Sequence, residues 1–268
     1  MPDQMRTVLE HIEELRKHIV RILISVAVIA GLSFILSIRQ FTFEDVTLPL
    51  PYPDPANNLA SQVIDFVKIA TLPKYVQLIV TSPGQAFLSQ MYASIFLGVL
   101  LSTPVILYEI AAFISPGLYE NEKRLIRNIM IPTAILFIIG CAFGFFFVVP
   151  FSMDFLYGYA VSIGAQTFIT LDELISFVFL FVLAFGVSFE LPVIMWALST
   201  VGMVKPQFWK NNWRYAVVAI TIFGAVITPD GSGITMWFVA LPMMALYAAG
   251  YLSVRKKTTS SRHSQQSG

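Results

Sequence analysis

Runs of apolar residues, broken by short charged stretches, organise this chain. No charge occurs from Ile22 to Ile38, from Tyr75 to Tyr108, or from Asn128 to Met153. A fourth run, Leu174 to Val204, holds one charge, Glu190, and two more cover Tyr215 to Pro229 and Ile234 to Val254. A helix needs about 20 apolar residues to cross the hydrocarbon core. The pattern therefore predicts an all-α integral membrane protein with six transmembrane helices, the last two short. Only Asp230-Gly231-Ser232-Gly233 separates those two, so they are expected to form a hairpin. No period-two alternation repeats, which excludes a barrel.

The flanks carry their own periodicity. Val8, Ile12, Leu15 and Ile19 make one apolar stripe, with Glu10, Glu14, Lys17 and Arg21 opposite. This predicts an amphipathic helix at about 5–18 ahead of the first span. The first outer segment, about 39–85, is rich in proline. Within it Leu59, Val63, Phe66, Val67 and Ala70 lie at helical spacing. That segment is either an amphipathic helix on the outer surface or a loop packed on the bundle. Residues 1–254 read as a single membrane domain, and 255–268 as a basic, disordered tail.

Composition agrees. Hydrophobic residues make up 56% of the 268 and charged residues 12%, with a mean hydropathy of +0.73. Too few polar side chains exist to cover a soluble globule, and disorder needs the opposite balance. The single Cys141 excludes an internal disulfide or a multi-cysteine metal site.

The net charge of +1 conceals an asymmetry. Fourteen of the 17 Lys and Arg fall on the side holding both termini, and Arg39, Lys68 and Lys74 on the other. The positive-inside rule then places both termini in the cytoplasm. Seven acids share that inner face, eight lie outside, and Glu190 lies within the fourth span.

Enzymatic chemistry finds no support. The chain has no P-loop, no H-E-x-x-H and no G-x-S-x-G. Neither a metal site nor a cofactor is expected. His11, His18 and His263 read as solvated groups at the cytoplasmic margin. Glu14 taken alone reads as an i, i+3 partner of Lys17, and Glu120 and Glu122 as acids at a helix start. Glu190, followed by Pro192, is either a site for a proton or polar partner, or an interhelical hydrogen bond.

Four segments together resemble the TatC family, the six-helix core of the twin-arginine protein translocase. They are HIEELRKH (His11–His18), TPVILYE (Thr103–Glu109), FISPGLYENEKR (Phe113–Arg124) and FGVSFELPV (Phe185–Val193). The resemblance runs in order from about residue 9 to 254. It implies a receptor and scaffold of Sec-independent export that binds the Arg-Arg signal peptides of folded precursors. By it, Glu14 and Glu122 would receive the arginines, with Arg16, Phe113, Pro116, Leu118 and Tyr119 completing the site. Glu190 would contact small single-span partner subunits of the TatA/TatB type. Energy would come from the proton-motive force, in the plasma membrane of a prokaryote, with self-association in the receptor complex. The alternative is a secondary transporter or ion-coupled carrier that uses Glu190.

Overall fold

The computed structural model describes residues 2–43, 46–115, 120–228 and 233–266. Ten α-helices and four short strands are found among them. In chain order these are α1 (Pro2–Ile35), β1 (Leu36–Phe43), β2 (Val46–Pro53), α2 (Leu59–Thr71), β3 (Val76–Ile79), α3 (Gln85–Ile114) and α4 (Glu120–Phe143). They continue with α5 (Val149–Ser162), β4 (Thr167–Thr170), α6 (Leu171–Phe189), α7 (Leu191–Thr200), α8 (Pro206–Asn211), α9 (Trp213–Ile227) and α10 (Ile234–Gln266). Five helical stretches are long and apolar enough to cross a bilayer: Glu10–Ile35, Gln85–Ile114, Arg127–Ser162, Leu171–Thr200 and Ile234–Arg255. With the shorter apolar helix α9, they account for the six spans. Of the two helices expected to be short, α9 has 15 residues, while the apolar part of α10 reaches 22.

Contacts divide the chain into two compact units. One comprises Met1–Leu118 with Gly164–Phe179, the other Tyr119–Ile163 with Leu180–Gly268.

In the first unit α1 and α3 lie side by side. The amphipathic segment expected at 5–18 is not a separate helix; it continues without a break into the first span. Small residues let the two backbones approach. Ala93, Ser94 and Ser102 are buried, and a Cβ on Gly98 would sit 2.7 Å from the Val26 carbonyl oxygen. Close approach of this kind is how helices associate where lipid removes the hydrophobic drive.

The proline-rich segment expected on the outer side forms regular elements among its described residues. β1 and β2 pair as an antiparallel hairpin, with Ile38 opposite Pro51 and Leu36 opposite Pro53. Asn58 then caps α2, accepting from the Ser61 N–H at 2.8 Å while its amide donates to the Phe34 carbonyl at 2.7 Å. One side chain thus satisfies a helix start and ties it to the end of α1. The helix expected within 59–70 forms, and its buried face is Ala60, Ile64, Val67 and Thr71. That face packs on α3 and α1. Of the stripe read from spacing, Val67 is buried in this face while Phe66 is 54% exposed. Farther along, β3 pairs in parallel with β4. The Gln85 amide donates to Asp172 at the start of α6, and Phe96 stacks on Phe179 with centroids 4.0 Å apart.

In the second unit α4 runs through a π-helical turn, Gly144–Val148, into α5. A Cβ on Gly140 would lie 2.6 Å from the Phe185 carbonyl oxygen, so glycine sets the approach of α4 to the second half of α6. The fourth span is interrupted at one residue, Glu190, between α6 and α7. The Glu190 N–H donates to the Val187 carbonyl three residues back, at 3.1 Å. Pro192 lacks the N–H that would continue the α6 ladder, and α7 begins anew at Leu191. The expected hairpin linker is outside the described residues except Gly233, which takes a φ of +71° just before α10. α10 stays helical to Gln266, through the segment expected to be a disordered tail.

Candidate functional site

Two groups of side chains stand apart from the apolar bundle. The first lies where the polar end of α1 meets the end of α3. Glu14 is exposed, its side chain 53% accessible, and the imidazole Nδ1 of His11 lies 3.8 Å from its Oε2. The expected pair with Lys17 does not form. His11 in turn stacks on Phe113, with centroids 4.8 Å apart and planes 25° from parallel. A continuous line of contact therefore runs from Glu14 through His11 to the last turn of α3.

One turn farther along α1, His18 Nδ1 donates to Glu109 Oε2 at 2.5 Å, and Arg21 Nη1 donates to the same oxygen at 3.4 Å. The His18 and Glu109 side chains are 17% and 8% exposed. His18 also meets the Phe113 ring edge-on at 5.9 Å. This corrects the reading of His18 as a solvated margin group, since its side chain is largely withdrawn from solvent onto a carboxylate; His11 is exposed, as expected, with its ring stacked on Phe113. A carboxylate as secluded as Glu109 needs such partners to offset its lost hydration. Sequence reasoning passes over Glu109 and Arg21 as well. The available signal is Glu109 itself, an acid closing an uncharged run of 34 residues, Tyr75–Tyr108.

Other expected residues are placed only in part. Arg16 is exposed on α1. Glu122 lies in the first turn of α4, and its side chain is outside the described residues. Pro116, Leu118, Tyr119 and Asp230 are outside them altogether. No cluster of three or more metal-ligating side chains occurs among the described residues.

The second group is a single carboxyl. Glu190, at the break between α6 and α7, is 8% exposed. Neither of its carboxyl oxygens has a hydrogen-bond partner among the described residues. The reading as a hydrogen bond between helices of this chain therefore finds no donor among the described residues. Buried polar groups are nearly always satisfied, so an orphan at membrane depth calls for a functional explanation.

The family model described as "Sec-independent protein translocase protein (TatC)" matches residues 10–242. The chain belongs to the TatC family. It is 43% identical to the TatC protein of Cenarchaeum symbiosum over 248 residues, 92% of this chain and 94% of the relative. The Aquifex aeolicus TatC protein is 30% identical over 92% of this chain and 96% of its own length. The chloroplastic TATC of Arabidopsis thaliana is 32% identical over 94% of this chain and 67% of its length. A crystal structure of the twin-arginine translocase receptor TatC superposes with a TM-score of 0.76 at 28% identity. That match covers 92% of this chain and 99% of that one. The protein is thus a multi-span membrane component of the Tat protein translocase, and not an enzyme.

Proposed function

We propose that this TatC family member is the receptor that takes up the paired arginines of a twin-arginine signal peptide. Glu14 and Glu122 supply the two carboxylates. The observation that carries this reading is the state of Glu14: an exposed carboxylate with no Lys or Arg partner among the described residues, held beside an aromatic surface. A guanidinium makes bidentate, charge-assisted bonds to such a group in a geometry that lysine cannot match. Phe113, carried on the same line of contact through His11, offers the apolar edge, and Pro116, Leu118 and Tyr119, which follow it in sequence, are the proposed further members. Arg16, exposed two residues farther along α1, is open to carbonyl groups of the peptide. The superposing crystal structure is that of a twin-arginine translocase receptor, which supports the same role.

The remaining assignments follow from charge. Fourteen basic residues on the face that holds both termini argue for N-in, C-in insertion in the plasma membrane of a prokaryote. Glu190, buried and unpartnered, is the contact for small single-span subunits of the TatA/TatB type, whose polar groups would complete it. The chain contributes recognition and scaffolding; transport draws on the proton-motive force.

Binding of a labelled Arg-Arg signal peptide to the purified protein, with the Lys-Lys peptide as control, tests this directly. The parent chain should prefer Arg-Arg, and Glu14→Gln and Glu122→Gln should each erase most of that preference. Equal binding of both peptides by the parent chain would sink the proposal.

A further inference from the structure

A feature that the receptor role does not use lies at the start of α9. Lys210, at the end of α8, and Arg214, in the first turn of α9, border an open cleft of about 540 Å³, together with Asn211, Trp213, Tyr215 and Val218. Both cations are exposed, and neither pairs with a carboxylate among the described residues. The Arg214 guanidinium lies over the Trp213 ring, 6.0 Å from its centroid. Trp213 and Tyr215 are 54% and 75% exposed. Exposed aromatic rings at the first residues of an apolar helix mark the headgroup level of a bilayer.

Below the cleft the exposed face of α9 is apolar. Val218, Ile222 and Val226 follow at intervals of four, each more than half exposed. A charged mouth therefore opens onto a hydrophobic track on one helix. The dimensions add a reason for it. Fifteen residues rise roughly 22 Å, against a hydrocarbon core of about 30 Å. Lipid beside so short a helix must sink its headgroup or the bilayer must thin. Two free cations at the helix start would hold an anionic headgroup at that depth.

We propose that this cleft binds an anionic phospholipid, its phosphate between Lys210 and Arg214 and an acyl chain along Val218, Ile222 and Val226. Charge complementarity selects the lipid class, since each cation at a membrane surface favours an acidic headgroup about fivefold, roughly 25-fold for the pair. The proposal holds for either orientation of the chain and does not rest on the signal-peptide site.

Native mass spectrometry of the full chain in detergent, titrated with dioleoyl phosphatidylglycerol or dioleoyl phosphatidylcholine, tests it. The parent should retain phosphatidylglycerol preferentially. Lys210→Gln with Arg214→Gln should remove most of that preference, while Lys68→Gln with Lys74→Gln, the same charge change elsewhere, should leave it. An unchanged preference in the first pair overturns the proposal. So does displacement of the lipid by millimolar inorganic phosphate, which would mark a free-phosphate site. A second measurement needs no charge variant. Brominated phosphatidylglycerol should quench the fluorescence due to Trp213, taken as the difference between the parent and Trp213→Phe, more than brominated phosphatidylcholine does. Equal quenching by the two lipids counts against the headgroup contact.

Discussion

His18 Nδ1 lies 2.5 Å from Glu109 Oε2, although 91 residues separate them in sequence. The bond clamps the polar end of α1, which carries Glu14, to the last turns of α3, which carry Phe113. The clamp also adjoins the proposed receptor surface: His18 meets the Phe113 ring edge-on, and Glu109 lies one turn before Phe113 on α3.

Cutting the clamp should therefore lower stability and blur the receptor face together. His18→Ala leaves a secluded carboxylate with only the longer bond from Arg21. Loss of a hydrogen bond to a charged group costs about 2 kcal/mol. Thermal unfolding in detergent should show His18→Ala and Glu109→Gln each destabilised, and the double variant little worse than either. Strictly additive losses would mean the two side chains do not act as a pair.

The α1–α3 contact sets a steric limit at Gly98. Its missing Cβ leaves room for the Val26 carbonyl, which a methyl group would meet at 2.7 Å. Because that neighbour is backbone, the helices themselves must move apart. Gly98→Ala should cost about 1–3 kcal/mol, and Gly98→Leu should prevent stable assembly of the first unit. Tm and protease resistance of the purified variants measure this, with Gly31→Ala as control, since its Cβ would meet nothing.

How much of this is legible in the chain alone depends on the range of the interaction. The six spans can be read because a charge-free run of sufficient length is a local property. The α2 helix can be read too, but its packed face cannot. The stripe read from spacing, Leu59, Val63, Phe66, Val67 and Ala70, shares only Val67 with the buried face Ala60, Ile64, Val67 and Thr71, a choice made by packing on α3. The β1–β2 hairpin is hidden by Pro49, Pro51 and Pro53. These three share one parity in the register, so their missing N–H groups fall on the outer edge of the ladder, where strands tolerate proline. At the candidate site Glu14 and Phe113 are reached through motif resemblance. The His18–Glu109 clamp is not, since nothing local in either segment signals a partner so far away.

Outside the membrane, Asp54 anchors the turn between the hairpin and α2. Its carboxylate accepts from the N–H groups of Asn57 at 3.2 Å and Ala56 at 3.1 Å, and Arg39 donates to it as well. These bonds, that of Asn57 foremost, hold its pKa below the ordinary aspartate value. A depressed folded-state pKa contributes stability above the unfolded value, about pH 4, and loses it as pH falls through the folded value. The parent should thus become more protease-sensitive between residues 36 and 58 below about pH 4. Asp54→Asn should show that sensitivity already at neutral pH and lose the acid dependence. A variant as resistant as the parent at pH 7 would show that the turn does not need the charge.

Glu190 gives the sharpest contrast between stability and function. Its carboxyl is buried, and both oxygens lack donors among the described residues. Replacing an unsatisfied buried polar group by an apolar one of similar volume is neutral or stabilising. Glu190→Met should therefore raise the Tm of the isolated chain or leave it unchanged. If the carboxyl is kept for a partner, the same variant should fail to assemble with single-span subunits. Glu190→Gln, which keeps polarity without charge, should assemble weakly. Both should still bind the Arg-Arg peptide, because Glu14 lies on a different helix. Co-purification with the partner subunits, peptide binding and Tm on the same preparations separate the cases. A destabilised Glu190→Met chain that still assembles would make the residue structural. A stable one that assembles normally would leave the orphaned carboxyl without a role in partner contact.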